Sequence, residues 1–144
     1  MSTVQTIHRE LADLWNARDY EGLRNLMHPD YTYTASDGTE SAGPEAGLAV
    51  AKTYGEAFPD AKMELQRLYT EGQTAIAELS VEGTHTGPLR EIAPTGKRVR
   101  SVLCNIVELR DGKIYRERDY FDPLSLLVQI GAVPALTMPA EHMP

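Results

Sequence analysis

The sequence has little of what would crosslink the chain, anchor it in a membrane or bind it to a polyanion. Among 144 residues Cys104 is the one cysteine, which excludes an intramolecular disulfide and fits a reducing compartment. No apolar run approaches the roughly 20 residues that span a bilayer, and the N-terminal segment shows no signal-peptide pattern. The net charge of −7 disfavours nucleic acid and anionic membrane surfaces as partners. We therefore expect a cytoplasmic protein.

The motifs of several enzyme classes are also missing. The chain has no phosphate-binding glycine loop, no Gly-x-Ser-x-Gly elbow and no nucleotide fingerprint. Its four histidines and its acidic residues lack metal-ligand spacing, so we predict neither a metal nor another cofactor. Cys104 lies within an apolar strand pattern, which indicates a buried, unreactive thiol.

Capping and turn signals predict where helices begin and end. Ser2 has capping-box spacing with Gln5, Asp19 is a typical N-cap, and Pro44 suits the first turn of a helix. His28-Pro29 is expected to end the second helix, because the residue before proline avoids the helical region. A last, leucine-rich helix is predicted after residue 122.

Alternating hydrophobicity predicts five strands, the last two joined by the turn Asp111-Gly112. They are expected over residues 31–34, 62–69, 73–85, 98–110 and 113–121. This order of elements predicts one α+β domain over residues 1–131 and an irregular tail over 132–144. The helices would pack on the concave side of a curved antiparallel sheet and enclose a pocket for a hydrophobic small molecule.

Several short motifs support a more specific interpretation through their order and spacing. They are Met27-His28-Pro29-Asp30-Tyr31, Gly83-Thr84-His85-Thr86-Gly87, Pro94-Thr95-Gly96-Lys97-Arg98-Val99, Asp111-Gly112-Lys113-Ile114, Asp119-Tyr120-Phe121-Asp122 and Leu126-Leu127-Val128-Gln129-Ile130-Gly131. Together they resemble the SnoaL-like polyketide cyclases of the nuclear transport factor 2-like superfamily. The resemblance implies a cone-shaped fold, a homodimer and cofactor-free acid/base chemistry on hydrophobic small molecules.

Asp119 is the main catalytic candidate, because SnoaL-like cyclases place a catalytic aspartate on this strand. A two-residue turn at 111–112 would pair Cys104 with Asp119 and Asn105 with Arg118. Desolvation on such an apolar face would raise the pKa of Asp119 toward the range useful for acid/base work. The alternative is a surface carboxylate paired with Arg116 or Arg118. The predicted apolar neighbours on that face are Val102, Cys104, Ile106 and Phe121.

Asp122 and His85 are secondary catalytic candidates, and each has a structural explanation. Asp122-Pro123 before a leucine-rich stripe is typical of a helix N-cap, which explains Asp122 without chemistry. His85 continues the inward face of its strand, where a histidine is more often hydrogen-bonded structure, although it could orient Asp119 or a substrate oxygen. His8 falls off the apolar stripe of the first helix and carries no predicted role.

The remaining candidates are expected to bind substrate. His28 enters through the resemblance, and the aromatic residues are candidate pocket walls, of which the tyrosines could polarise a carbonyl through their hydroxyl groups. For each aromatic residue, plain core is the alternative. The predicted substrate-binding set is Trp15, His28, Tyr31, Tyr33, Tyr54, Phe58, Asn105 and Arg118.

Two classes of function follow from these expectations. The first is a cyclase or isomerase in which Asp119 moves a proton beside the carbonyl of a polyketide-like or steroid-like compound. An epoxide hydrolase resembling the limonene enzyme is an alternative within this class, but the strand expected to carry its Arg-x-Asp pair reads Glu78-Leu79-Ser80-Val81-Glu82. The second class is a non-catalytic binding or dimerisation module, which predicts an exposed or ion-paired Asp119 and a filled pocket.

Overall fold

A computed structural model describes residues 3–134 of the chain. The Ser2 cap and most of the expected tail, residues 135–144, lie outside this part. This part contains four helices and six strands. They are α1 Thr3–Asn16, α2 Tyr20–Leu26, β1 Met27–Thr34, β2 Glu40–Ala42, α3 Pro44–Ala57, β3 Lys62–Glu71, β4 Thr74–Thr84, β5 Arg98–Arg110, β6 Lys113–Tyr120 and α4 Pro123–Gln129.

The six strands form one sheet in the order β2-β1-β6-β5-β4-β3. The α+β prediction is confirmed, but the sheet is mixed, because β1 and β6 run parallel and all other neighbours are antiparallel. The expectation of a wholly antiparallel sheet is therefore wrong at one pair. Strands so far apart in the chain carry no turn signal that would reveal their direction.

The local signals locate most helix ends correctly. The Asp19 carboxylate accepts a hydrogen bond from the Gly22 N–H at 2.8 Å, and Pro44 is the first residue of α3. Helix α2 ends at Leu26, earlier than His28-Pro29 predicts. The reason is long-range: Met27 already pairs with Ile114 of β6, so the chain is extended from that residue.

The hairpin of β5 and β6 departs from the predicted register. Its turn begins as expected, with Arg110 opposite Lys113, but Tyr115 is an extra residue and Glu108 pairs with Arg116. This bulge shifts all later pairs by one residue. Asn105 therefore faces Asp119, and the predicted pairing of Asp119 with Cys104 is wrong. The expected neighbours Val102, Cys104 and Ile106 lie on the opposite face from Asp119, whereas Phe121 shares its face.

Two helices cover one face of the sheet and leave a cavity beneath them. Helix α1 packs on β3, β4 and β5, and α3 packs on β1. The buried stripe of α1 contains Val4, Ile7, Leu11 and Trp15, and also His8. Among residues 3–134 no helix is long and apolar enough to cross a membrane.

Candidate active site

A cavity of about 160 Å³ lies between the covered face of the sheet and the helices. Its wall is mostly apolar, with Trp15 from α1, Tyr54 from α3 and Phe58 just after α3. The polar exceptions cluster on neighbouring strands. They are Tyr33 of β1, Asn105 and Ser101 of β5, and Glu117 and Asp119 of β6.

Glu117 and Asp119 are held together by one amide. They alternate on β6 and so face the same side of the sheet. The Asn105 side-chain amide donates to Glu117 Oε2 at 2.9 Å and to Asp119 Oδ1 at 2.7 Å. Because both carboxyl groups accept from the same nitrogen, their bonded oxygens cannot be farther apart than the sum of these two distances. The bulge at Tyr115 creates this arrangement by bringing Asp119 opposite Asn105.

Two tyrosines of β1 occupy the outer oxygens of the pair. The Tyr31 hydroxyl donates to Glu117 Oε1 at 2.6 Å, and the Tyr33 hydroxyl donates to Asp119 Oδ2 at 2.7 Å. Gly47 of α3 permits the Tyr31 contact, since a Cβ there would collide with the Tyr31 hydroxyl. Each of the four carboxyl oxygens thus has one donor.

His8 completes the network from helix α1. Its Nε2 lies 2.8 Å from Asn105 Oδ1, and the ring is fully buried. Both amide hydrogens of Asn105 point to carboxyl groups, so its oxygen must accept and His8 must donate from Nε2. Burial lowers the pKa of His8, which keeps the ring neutral at physiological pH.

The electrostatics of this site favour protonation of the carboxyl pair. Burial, and then repulsion from Asp119, raises the pKa of Glu117 from an ordinary 4.5 to about 7. Burial also raises the pKa of Asp119, against the hydrogen bonds from Asn105 and Tyr33. Within residues 3–134 every hydrogen bond to these carboxyl oxygens comes from a neutral donor. The site is therefore suited to holding and releasing protons.

The structure brings together six of the predicted site residues at the cavity. Trp15, Tyr33, Tyr54, Phe58, Asn105 and Asp119 line it. Tyr31 lies behind the wall, fully buried and bonded to Glu117. Its expected role as a pocket wall is thus replaced by support of the carboxyl pair.

Four other predicted residues lie away from the cavity wall, and three of them are Asp122, His85 and His28. Asp122 caps α4 by accepting from the Ser125 N–H at 3.1 Å, as its structural explanation predicts. His85 packs against Phe58, and its Nδ1 accepts from the Thr95 N–H at 3.2 Å. His28 contacts Asp111 and the Tyr115 ring. None of the three is part of the cavity wall.

Arg118 is the fourth predicted residue that lies away from the cavity wall. It alternates with Asp119 on β6, so its side chain lies on the other face of the sheet, where it pairs with Glu108. The expectation that Arg118 binds substrate in this cavity is therefore wrong. The alternative of an Asp119–Arg118 ion pair fails for the same reason.

Two residues of the hydrogen-bonded network around Asn105 were not predicted. Glu117 shares a strand face with Asp119, so the alternation along β6 already implied that the two acids would enter the site together. His8 was assigned to the exposed side of α1, yet Val4, His8, Leu11 and Trp15 are all buried and follow helical spacing. Among residues 3–134 no group of three or more His, Cys, Asp or Glu side chains is placed to hold a metal ion.

Comparison with known proteins gives a consistent result. Residues 5–130 match the family model described as SnoaL-like polyketide cyclase. The chain is 32% identical to aklanonic acid methyl ester cyclase DauD of Streptomyces sp. (strain C5), over 91% of this chain and 83% of the relative. It is 28% identical to aklanonic acid methyl ester cyclase DnrD of Streptomyces peucetius, over 91% and 92%. The structure of TsrD from Streptomyces laurentii superposes with a TM-score of 0.78 at 27% identity, covering 91% of this chain and 96% of that one.

Proposed function

This chain belongs to the SnoaL-like polyketide cyclase family, and we propose that it closes a ring by intramolecular aldol reaction, with Asp119 as the base. The substrate would be a polyketide-like compound with two carbonyl groups, and the relatives DauD and DnrD are named as cyclases of a methyl ester, aklanonic acid methyl ester. The observation that carries the proposal is a partly buried Asp119 carboxyl group at an apolar cavity, held by neutral donors.

In the proposed reaction one proton moves from the substrate to Asp119 and then back to the substrate. Ionised Asp119 removes a proton from the carbon beside a carbonyl, and the resulting enolate carbon attacks the second carbonyl carbon. The new alkoxide then takes a proton from Asp119, which returns the carboxylate to its starting state. The Tyr33 hydroxyl is free to donate to the substrate oxygen once Asp119 Oδ2 carries the proton.

The apolar wall of the cavity favours a hydrophobic ligand. A cavity of about 150 Å³ lined by apolar side chains is known to bind benzene, so a space of this volume accommodates one ring. The reacting ring would lie beside Asp119, between Trp15 and Tyr54, while the rest of a larger substrate extends beyond the cavity.

The two alternative functions receive less support. An epoxide hydrolase of the limonene type would need an Arg-x-Asp pair on the cavity face of β4, where this chain has Leu79 and Val81. Glu78 lies on the other face and pairs with Arg67. A non-catalytic module is disfavoured by the open cavity beside Asp119 and by the neutral partners of that carboxyl group.

The test is turnover of a ring-open polyketide ester such as aklanonic acid methyl ester by the purified protein. Cyclisation leaves the mass unchanged, so the product is detected by its chromatographic retention and its spectrum. Asp119→Asn should lower kcat by about 10²–10⁴. Asp111→Asn, on the exposed turn of the same hairpin, is the matched control and should retain activity. Equal rates for Asp119→Asn and the unchanged protein would refute the role of Asp119.

We also propose that the protein works in the cytoplasm, without nucleic acid or membrane partners, and forms a homodimer. The dimer is supported by exposed apolar side chains on the sheet face away from the cavity. Tyr69, Ile76, Val102 and Tyr120 are between 39% and 59% exposed there. Apolar side chains grouped on one exposed sheet face are typical of a protein interface.

A further inference from the structure

Glu117 and Asp119 lie too close together, in surroundings too apolar, to carry two negative charges at little cost. Asn105 gives one hydrogen to each carboxyl group, at 2.9 and 2.7 Å. Like charges that share one amide at a mostly apolar cavity repel strongly, so the pair retains one proton over a range of pH where isolated carboxyl groups are ionised.

The groups around the pair do not supply a compensating positive charge. From β1 the pair meets the hydroxyl groups of Tyr31 and Tyr33, and from α1 the neutral His8 acts through Asn105. From α3 the Tyr54 hydroxyl group interacts electrostatically with Asp119, and it accepts a hydrogen bond from the Arg90 side chain. On the reverse face of β5, burial and then the charges of Glu78 and Asp119 raise the pKa of the Cys104 thiol.

The hydrogen bonds restrict where a shared proton can lie. Oε2 of Glu117 and Oδ1 of Asp119 accept from Asn105, so the proton must lie on Glu117 Oε1 or Asp119 Oδ2. Those two oxygens differ in their surroundings. Glu117 Oε1 faces Tyr31, which is fully buried behind the wall, whereas Asp119 Oδ2 faces Tyr33, which lines the cavity.

We propose that Glu117 holds this proton in the resting protein, so that the single negative charge remains on Asp119 beside the substrate. Tyr31 then turns its hydroxyl to accept from Glu117. Glu117 acts through Asp119 and does not contact the reacting atoms, so it is a positioning residue. The inference rests on the proposed function for its catalytic consequence, but its proton can be observed without any substrate.

The proton on Glu117 keeps the charge at the site constant during the reaction. When Asp119 takes a proton from carbon, its negative charge passes to the enolate oxygen, and the site still carries one charge. If Glu117 were ionised, the enolate would form beside a second anion in an apolar cavity, which raises the barrier. Activity should therefore fall as pH rises through the titration of Glu117, by about tenfold for each pH unit.

The first test is carboxyl-carbon NMR titration of the protein labelled with ¹³C in Glu and Asp. We expect Glu117 to titrate at or above about pH 6, well above an ordinary glutamate. In Glu117→Gln the late titration should disappear, and Asp119 should titrate close to its own step in the unchanged protein, because Gln imitates the protonated Glu117 beside which Asp119 ionises. Glu108→Gln, the same change on the other face of the hairpin, should leave the late titration of Glu117 in place. Glu117 ionised throughout the range above about pH 5 would overturn the inference.

The second test is the pH profile of the proposed cyclisation. Gln imitates the protonated side chain, since its amide can accept from Asn105 and donate to Tyr31. The rate of Glu117→Gln should therefore lack the fall at alkaline pH that the unchanged protein shows. A profile with the same alkaline fall as the unchanged protein would refute the catalytic consequence. Absence of any cyclisation, with Glu117 still titrating late, would refute the proposed function alone.

Discussion

Replacing Glu117 by glutamine should stabilise the protein at neutral and alkaline pH. This change removes the negative charge of a carboxyl group that accepts two hydrogen bonds, yet it preserves the shape of the side chain. Glutamine can accept from Asn105 and donate to the Tyr31 oxygen, so the contacts at 2.9 and 2.6 Å remain. What disappears is the cost of burying a second negative charge next to Asp119.

The sign and the size follow from the pKa of Glu117. Burial and Asp119 raise this pKa from 4.5 to about 7, so between those values the folded protein holds a proton that the unfolded chain has released. The stability of the unchanged protein therefore falls as pH rises through this window, and the whole cost is present above about pH 7. At about 1.4 kcal/mol for each pH unit, the cost approaches ~3 kcal/mol as an upper limit.

Urea unfolding near pH 4 and near pH 8 measures this cost directly. We expect nearly equal stability of the two proteins near pH 4, below the ordinary pKa of glutamate, and a gain of up to ~3 kcal/mol for Glu117→Gln near pH 8. Glu108→Gln is the control on the outer face of the same hairpin, where it weakens an ion pair with Arg118 and should give no gain. A gain that is the same at both pH values, or a loss near pH 8, would refute the assignment of a raised pKa to Glu117.

Three further predictions test the supports of the site and the outer face of the sheet. His8→Leu leaves the Asn105 oxygen buried without its donor and should lower the free energy of unfolding in urea by about 1–3 kcal/mol. His8→Gln can still donate to this oxygen, so its loss of stability should be smaller. Equal losses for the two variants would contradict the role of His8. Gly47→Ala should lower the free energy of unfolding by about 1–3 kcal/mol, because the added methyl group pushes Tyr31 away from Glu117. In a protein that already carries Tyr31→Phe, the same change should cost less. Strictly additive losses in the double variant would count against this explanation. Val102→Glu on the exposed sheet face should yield a monomer by light scattering, and an unchanged dimer mass would place the interface elsewhere.

Local signals in the sequence were sufficient for most elements of the fold. Asp19, Pro44 and Asp122 act at helix starts through contacts with residues at most three positions away, so the local pattern contains the whole cause. The turn at Asp111-Gly112 is equally local. The parallel pairing of β1 with β6 joins segments far apart in the chain, and no local pattern specifies it.

The candidate site was only partly predictable for a similar reason. Alternation along β6 already required that Glu117 and Asp119 share a face, whichever face that was. The identity of their neighbours depended on the extra residue at Tyr115. Its ring lies against the Arg110 guanidinium at 3.8 Å and edge-on to His28, a contact with a distant segment that the hairpin sequence does not encode.

The sequence by itself determined the α+β class, the family and the candidate status of Asp119, because these depend on periodicity, caps and motif order. Only the tertiary structure decided that Asp119 meets Asn105, that Glu117 shares this amide, and that His8 holds it from α1. A one-residue bulge reverses the face that a partner strand presents, and burial of a polar side chain depends on what packs over it. The proton-holding property of the site arises from those two long-range effects, which is why it appears only in the folded chain.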